Sequence, residues 1–280
     1  MLIGGLQKTT LIDFPGRVAC TVFTVGCNFR CPFCHNKDLV SLANFKKAGI
    51  DSISEDYFFD FLEKRKKILD GVCITGGEPT VHADLPQFCK KIKDLSATGR
   101  SSSGRGLEVK LDTNGSNPEM LKKLIDKGLV DFIAMDVKSS FGEYQNSIKL
   151  KIKNKISKIQ TKNTKINKNL IRNIKKSIKL ILQSGLEYEL RTTVVPGIHN
   201  KTVMVELAKD LKSLAVSHSR QKAGKQPSAI SINYILQQFR PQNCLDSALL
   251  KVEPFTKGQM QAILKAVQQI LPKTKLRSAD

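Results

Sequence analysis

Three cysteines, Cys27, Cys31 and Cys34, lie close together in the run GCNFRCPFCHN. Thiolates at this spacing can bind a metal from a single loop, and the glycine, asparagine and proline of the run favour irregular backbone. Three sulfur ligands leave a metal centre one ligand short. The run therefore predicts a centre with an open coordination position, which can bind a substrate or a cofactor.

Two other interpretations of this run have weaker support. Zinc could be held by the three cysteines and His35, but adjacent ligands at Cys34 and His35 would strain a tetrahedral site, and no second pair of ligands follows. A disulfide framework is disfavoured because the chain has seven cysteines, an odd number, and its start does not resemble a signal peptide. We favour a 4Fe-4S cluster with one iron that has no protein ligand.

Two glycines and a carboxylate, Gly76, Gly77 and Glu78, follow the apolar run Val72–Thr75, which we predict to be a strand. Glycines at a strand end let a ligand approach the backbone closely, and a carboxylate there faces the mouth of a parallel barrel. A plain β-turn would explain the same residues in isolation. Their position one strand after the cysteine run favours a binding role.

The next two predicted strands also end in polar side chains. The first ends at Asp112 and is followed by Asn114, and the second carries Asp136 and is followed by Lys138. Asp112 can accept a hydrogen bond from an amine or a ribose hydroxyl, and Lys138 can pair with a carboxylate as a compact charge. Taken alone, the first motif could be a turn and the second a surface ion pair.

Together these motifs resemble those of the radical S-adenosylmethionine (SAM) enzymes, whose cluster loop has the form CxxxCxΦC with an aromatic Φ. The resemblance implies that SAM binds the open iron, and that an electron from the cluster cleaves SAM to methionine and a 5′-deoxyadenosyl radical. No catalytic side chain is implied beyond the cluster and SAM. The implied metal ligands are Cys27, Cys31 and Cys34, and the implied cofactor-binding residues are Phe33, His35, Gly76, Gly77, Glu78, Asp112, Asn114, Asp136 and Lys138.

Within that family, the LDTNG and DxK strand ends resemble the corresponding strand ends of the glycyl-radical-enzyme activating subfamily. The opening GGLQKTTLIDFPG and the later LQQFRP resemble the short activating proteins of anaerobic ribonucleoside-triphosphate reductase. This resemblance implies a partner glycyl-radical enzyme, that reductase, and an electron donor of the flavodoxin or ferredoxin type. The alternatives are a radical SAM enzyme that acts on a small molecule or peptide, and a non-catalytic zinc or nucleic-acid-binding module.

The resemblance implies several further residue roles. A monovalent cation site would form from Asp112, Thr113, Met135 and Asp136, which supply hard oxygen ligands. Arg191 would orient SAM or form a structural ion pair. A histidine that contacts SAM in related enzymes is replaced here by Gln237 or Gln238. The remaining cysteines, at 20, 73, 89 and 244, lie in apolar patterns and are expected to be core residues.

Apolar, β-branched runs alternate with amphipathic stretches, which indicates repeated βα units with a parallel sheet. We predict a single α/β domain over residues 1–280, a partial (β/α)6 TIM-like barrel, with insertions at 97–106, 147–168 and 217–228. The predicted strands are 17–25, 72–75, 107–112, 131–137, 187–195 and 229–236, and the predicted helices are 56–67, 85–95, 118–127, 170–183, 203–214 and 256–270.

The net charge of +21 is concentrated in one segment, because no acid occurs between Glu143 and Glu187 while twelve lysines and arginines do. A solvated insertion of biased composition explains this segment better than a basic arm on RNA or a partner. No aromatic residue after Tyr144 interleaves the lysines, which argues against nucleic-acid binding. No apolar run is long enough to span a membrane, so we expect a soluble, cytoplasmic protein without membrane contact.

Overall fold

The computed structural model describes residues 1–97, 106–148, 160–219 and 232–278. Most of the predicted insertions at 97–106 and 217–228, and half of the one at 147–168, lie outside these ranges, so the insertions and their boundaries stay predictions. Within the described ranges, none of the helices combines the length and the apolar character that a membrane crossing requires.

The strands of the described residues form one sheet in chain order: β1 (Ile3–Thr10), β2 (Ala19–Thr24), β3 (Gly71–Gly76), β4 (Glu108–Thr113), β5 (Phe132–Asp136), β6 (Glu187–Val194), β7 (Tyr234–Gln238) and β8 (Lys275–Arg277). β1 is antiparallel to β2, whereas β2 with β3, β3 with β4, β6 with β7, and β7 with β8 are parallel pairs. The strands β2 to β7 correspond to the six predicted ones. The predicted α/β class and partial (β/α)6 barrel are confirmed.

The helices within the described ranges lie between these strands, as predicted for βα units. They are α1 (Leu42–Lys47), α2 (Glu55–Arg65), α3 (Leu85–Ala97), α4 (Pro118–Asp126), α5 (Tyr144–Ile148), α6 (Gln160–Gln183), α7 (Lys201–Ser219) and α8 (Lys257–Gln268). The chain divides into two compact units, which are described separately.

The first unit consists of Met1–Asn28, Asn36–Thr113 and Glu119–Ala134, and it contains β1 to β4. Its helix α2 begins where the side chain of the N-cap residue Ser54 accepts a hydrogen bond from the Tyr57 N–H. The buried rings of Phe58 in α2 and Phe88 in α3 stack with centroids 5.2 Å apart. The central positions of β3 are fully buried, as expected for a strand covered on both faces.

The second unit consists of Phe29–His35, Asn114–Pro118 and Met135–Asp280, and it contains β6 to β8 and α5 to α8. In α6, Ile174, Ile178 and Ile181 recur at helical spacing and are buried. Thr256 and Gln259 form a reciprocal capping box at the start of α8.

Four of the described strands and α-helices were not predicted, namely β1, α1, α5 and β8. The β1 sequence IGGLQKTT contains two glycines and no regular alternation, so its strand conformation depends on pairing with β2. α1 and β8 have six and three residues, too few for a periodic signal. Helix α6 begins at Gln160, ten residues before the predicted start. The prediction began too late because the Lys- and Asn-rich sequence there has no clear apolar periodicity.

Candidate active site

The first cysteine of the cluster run is placed by the end of β2. In the first unit, the Gly26 N–H donates to the Leu39 carbonyl at 2.8 Å, and the Cys27 N–H donates to the Val40 carbonyl at 3.0 Å. Cys27 is half-buried. These two backbone bonds give Cys27 a defined position although it lies in irregular structure.

The other two cysteines, Cys31 and Cys34, belong to the second unit and lie on one tight turn. The Cys34 N–H donates to the Cys31 carbonyl at 3.1 Å, and the Asp246 N–H donates to the Pro32 carbonyl at 2.9 Å. The Arg30 N–H, just before this turn, donates to the carbonyl of Ile148, the last residue of α5, at 3.2 Å. Backbone bonds from two distant segments therefore hold the turn.

All seven cysteines lie in the described ranges, and none is in a disulfide. No group of three or more His, Cys, Asp or Glu residues in those ranges is arranged to hold a single metal ion. Burial raises the pKa of Cys20 and of Cys89 to about 12, as expected for core thiols.

The glycines of the Gly76-Gly77 pair are required by close backbone contact. The Gly77 N–H donates to the Thr24 carbonyl at 2.8 Å, and Gly76 has a φ of +111°. A β-carbon would lie 2.3 Å from the Thr24 nitrogen if placed on Gly76, and 2.1 Å from the Gly26 oxygen if placed on Gly77. No other residue fits, because backbone atoms cannot move aside as a flexible side chain can.

The Glu78 carboxylate points into the first unit and is 1% exposed. Its Oε1 accepts hydrogen bonds from the Thr80 N–H at 3.1 Å, the Thr80 hydroxyl at 2.6 Å and the Thr113 hydroxyl at 2.7 Å. A buried carboxylate with these donors joins the loop after β3 to the end of β4. Glu78 thus stabilises the predicted binding motif through protein contacts.

The carboxylate of Asp112 forms an ion pair with Lys110, a residue that the sequence analysis did not single out. Lys110 is 1% exposed, and its Nζ lies 3.6 Å from the Cys73 Sγ and 5.9 Å from the centre of the Phe132 ring. A lysine two residues before Asp112 shares its strand face, because side chains alternate along a strand. A lysine in a predicted strand, two residues before Asp112, is the sequence signal that could have identified Lys110.

Asn114 lies in the second unit, is 6% exposed, and accepts a hydrogen bond from the Ser116 N–H at 2.9 Å. The four residues of the predicted cation site divide between the units. Asp112 and Thr113 belong to the first, and Met135 and Asp136 belong to the second. The cation site stays a prediction.

Asp136 at the end of β5 lies between two cations. Its carboxylate oxygens are 3.0 Å from the Lys138 Nζ and 2.9 Å from the Arg191 Nε. Burial would raise the pKa of the Asp136 carboxyl, but Arg191 and Lys138 more than offset this effect and hold that pKa well below its usual range. Burial would lower the pKa of Lys138, yet Asp136 and the Cys31 sulfur hold it above its usual value.

His199, which the sequence analysis missed, links Lys138 to the aromatic residue of the cluster loop. Its Nε2 lies 2.8 Å from the Lys138 carbonyl oxygen, and its Nδ1 accepts a hydrogen bond from the Val195 N–H at 2.9 Å. The acceptor role of Nδ1 makes Nε2–H the donor to Lys138. Phe33 packs edge-on against the imidazole at 6.2 Å, and the Lys138 Nζ lies 5.9 Å from the Phe33 ring centre.

His35 is exposed, and partial burial of its ring, together with the cations Lys138 and Arg240, lowers its pKa. Its Nε2 is 2.9 Å from the Arg240 carbonyl oxygen, and its ring stacks on Phe239 at 6.2 Å. Of the two candidate glutamines, Gln238 donates through its amide to the Phe255 carbonyl at 2.9 Å.

Comparison with known proteins identifies the class to which the chain belongs. Residues 21–210 match the Radical SAM superfamily. The chain belongs to that superfamily, and it is a radical SAM enzyme that uses a 4Fe-4S cluster and SAM. The donor set fits these cofactors, because thiolates are the ligands of iron–sulfur clusters and the Lys138 cation interacts with the Cys31 sulfur.

Two curated relatives are activating enzymes by name. The chain is 27% identical over 284 residues to a Methanocaldococcus jannaschii protein provisionally named glycyl-radical enzyme activating enzyme MJ1227, covering 100% of this chain and 97% of that protein. It is 30% identical over 147 residues to the pyruvate formate-lyase-activating enzyme of Listeria monocytogenes, covering 49% of this chain and 52% of that enzyme.

Solved structures with the same fold include SuiB from Streptococcus suis. The TM-score is 0.54 at 11% identity, and the alignment covers 93% of this chain and 48% of SuiB. SuiB bound to SAM gives a TM-score of 0.53 at 10% identity, covering 92% of this chain and 49% of SuiB. At this identity the similarity concerns the fold alone.

Proposed function

We propose that this protein is an activating enzyme that generates a glycyl radical on a partner enzyme, anaerobic ribonucleoside-triphosphate reductase. The observation that carries the proposal is the match along the whole chain to the M. jannaschii protein with an activating-enzyme name, at 27% identity. The segments GGLQKTTLIDFPG and LQQFRP support the choice of reductase, because they resemble its short activating proteins.

In this proposal, Cys27, Cys31 and Cys34 hold the cluster. When bound, the cluster would supply one electron for the cleavage of SAM, which would release methionine. The 5′-deoxyadenosyl group of SAM would take a hydrogen atom from the partner's glycine and leave as 5′-deoxyadenosine. A flavodoxin- or ferredoxin-type protein delivers the electron. The chain contributes mainly by positioning these groups.

The family resemblance suggests the cofactor-binding roles, and the contacts at the strand ends support them. Lys138 supplies a cation for the SAM carboxylate, and Asp136 with Arg191 fixes the direction of its side chain. Gly76 and Gly77 present backbone groups to SAM, while the buried Glu78 carboxylate holds their loop. Asp112 and Asn114 interact with the ribose or amine of SAM, Phe33 lies within the cluster loop, and His35 follows its last cysteine.

A glycine is a suitable target for hydrogen abstraction for two physical reasons. The radical at its Cα is delocalised over the two flanking amide groups. The loop also carries no side chain at its glycine, so this part of it can enter a narrow barrel mouth where a larger residue would clash.

The test is electron paramagnetic resonance of the anaerobic reductase after incubation with reconstituted protein, SAM and a chemical reductant. We expect a glycyl doublet with the wild type and none with Cys31→Ala. 5′-Deoxyadenosine is measured in the same samples. Its formation without a doublet on any glycyl-radical enzyme would refute the activating function and indicate a small-molecule or peptide substrate instead.

A further inference from the structure

A basic groove lies along α6 in the second unit, with a volume of about 710 Å³. Its cations recur along the helix at spacings of three and four residues, so they share one face, opposite the buried isoleucines. No acid lines the groove among the described residues. The cations are Lys168, Arg172, Lys175, Lys176 and Lys179.

Apolar side chains also line the groove, and a hydrogen bond holds the backbone of one of them. Phe141, Ile171 and Leu214 line it between the cations. The Phe141 N–H donates to the Asp210 carboxylate at 2.9 Å, and the Lys175 Nζ lies 4.6 Å from the centre of the Phe141 ring. A groove that combines apolar and charged side chains can bind a protein, because protein–protein interfaces have an apolar core and a polar rim.

The short helix α5 connects this groove to the cluster loop. Gln145 of α5 lines the groove, and the carbonyl of Ile148, three residues on, accepts the hydrogen bond from Arg30 at 3.2 Å. Arg30 lies between Cys27 and Cys31. A molecule in the groove would thus be separated from the cluster loop by one helix of five residues.

We propose that this groove docks a small electron-donor protein with an acidic surface around its redox centre. The proposal rests on the proposed function, which requires an external electron. The donor is oxidised by one electron, the cluster held by this chain is reduced by that electron, and no bond forms or breaks. Charge complementarity brings the two proteins together, and proximity to the cluster loop shortens the electron's path.

The lining favours a protein over nucleic acid. Single-stranded nucleic acid is usually bound by aromatic rings on which bases stack, between cations that contact the phosphates. Phe141 is the aromatic residue of the described lining, and the Lys175 ammonium lies over its ring. Apolar Ile171 and Leu214 have no counterpart in a phosphate backbone.

Charge reversal on the groove tests the proposal. The variant Lys168→Glu/Arg172→Glu changes two exposed positions of α6, and Lys257→Glu/Lys265→Glu makes the same charge change at two exposed positions of α8 outside the groove. Thermal unfolding of both variants verifies folding. The first readout is the Kd of reconstituted protein for a flavodoxin and for a ferredoxin at low and at high salt.

We expect the groove variant to weaken donor binding at low salt by about tenfold or more, and the control to change it less than about twofold. The second readout is 5′-deoxyadenosine formation, which should fall in the groove variant with the donor protein and be unchanged with a chemical reductant. Equal donor affinity of the groove and control variants would overturn the proposal. So would loss of RNA binding in the groove variant with donor binding unchanged.

If the proposed activating function is wrong, the experiments give a result different from the one expected if the groove does not bind the donor. In that case the wild type forms 5′-deoxyadenosine with either reductant but produces no glycyl doublet. The donor affinities of the two variants still decide the role of the groove, because binding is measured without the partner enzyme.

Discussion

The Gly26 carbonyl oxygen lies 2.1 Å from the position that a β-carbon on Gly77 would occupy. The same oxygen accepts the Glu78 N–H at 2.7 Å. The loop after β3 therefore packs directly on the backbone that leads into Cys27. This contact couples the glycine motif to the residue that precedes Cys27.

Replacement of Gly77 by alanine should displace one of these two loops. The added methyl group would meet backbone, which cannot yield without movement of the chain, so we expect reduced cluster content and SAM affinity at least about tenfold weaker. Gly142→Ala is the matched control, because nothing lies within 4 Å of its added carbon. Iron analysis and equilibrium SAM binding measure both effects. Equal behaviour of the two variants would contradict the inferred contact.

Cysteine replacements should separate ligands from core thiols. Cys31→Ala should abolish a cluster of about four irons per chain, because a lost thiolate cannot be replaced by a methyl group. Cys20→Ala should retain the cluster, since Cys20 is fully buried in β2 and burial raises its pKa to about 12. Iron and sulfide analysis after anaerobic reconstitution gives the answer. Retention of four irons in Cys31→Ala would remove Cys31 from the ligand set.

Lys110→Met should weaken SAM binding through its effect on Asp112. Without the ammonium group, the Asp112 carboxylate lacks the counter-ion that directs it, and we expect a loss of about 1–3 kcal/mol in stability and about tenfold in SAM affinity. The measurements are urea unfolding and calorimetric SAM titration.

A second substitution distinguishes structural from binding effects at this pair. Lys110→Met/Asp112→Asn removes both charges, so stability should recover while SAM affinity stays low. Wild-type SAM affinity in the double variant would show that the pair serves folding alone.

His199 should make stability depend on pH. Burial lowers its pKa to about 4, below the usual value near 6.5, so the unfolded chain binds the proton more readily between these values. Stability is therefore retained above about pH 6.5 and declines as the pH falls toward 4. The loss between about pH 7.5 and pH 5 should be about 2 kcal/mol.

Anaerobic urea unfolding of the wild type and of His199→Gln isolates this contribution. The glutamine cannot titrate, so the variant should lack the extra loss at low pH, although it should be less stable near neutral pH, where two buried hydrogen bonds depend on the imidazole. An identical pH dependence of both proteins would show that His199 is not buried in its neutral form.

The sequence by itself determined the features that depend on residues close together along the chain. Cys27, Cys31 and Cys34 are close along the chain, so their spacing predicted a cluster loop, and the family match supports the cofactors. Polar groups such as Asp136 follow apolar runs, so the strand ends could be located from periodicity alone. The six central strands and most helices were predicted for the same reason.

The tertiary structure decided which groups meet across long sequence separations. Glu78 turned out to accept hydrogen bonds from Thr113, and His199 to bind the Lys138 carbonyl, 61 residues away. No local pattern encodes such contacts, because they depend on which strands become neighbours in the sheet. β1 was missed for the same reason, since its conformation comes from pairing with β2 and not from its own propensity.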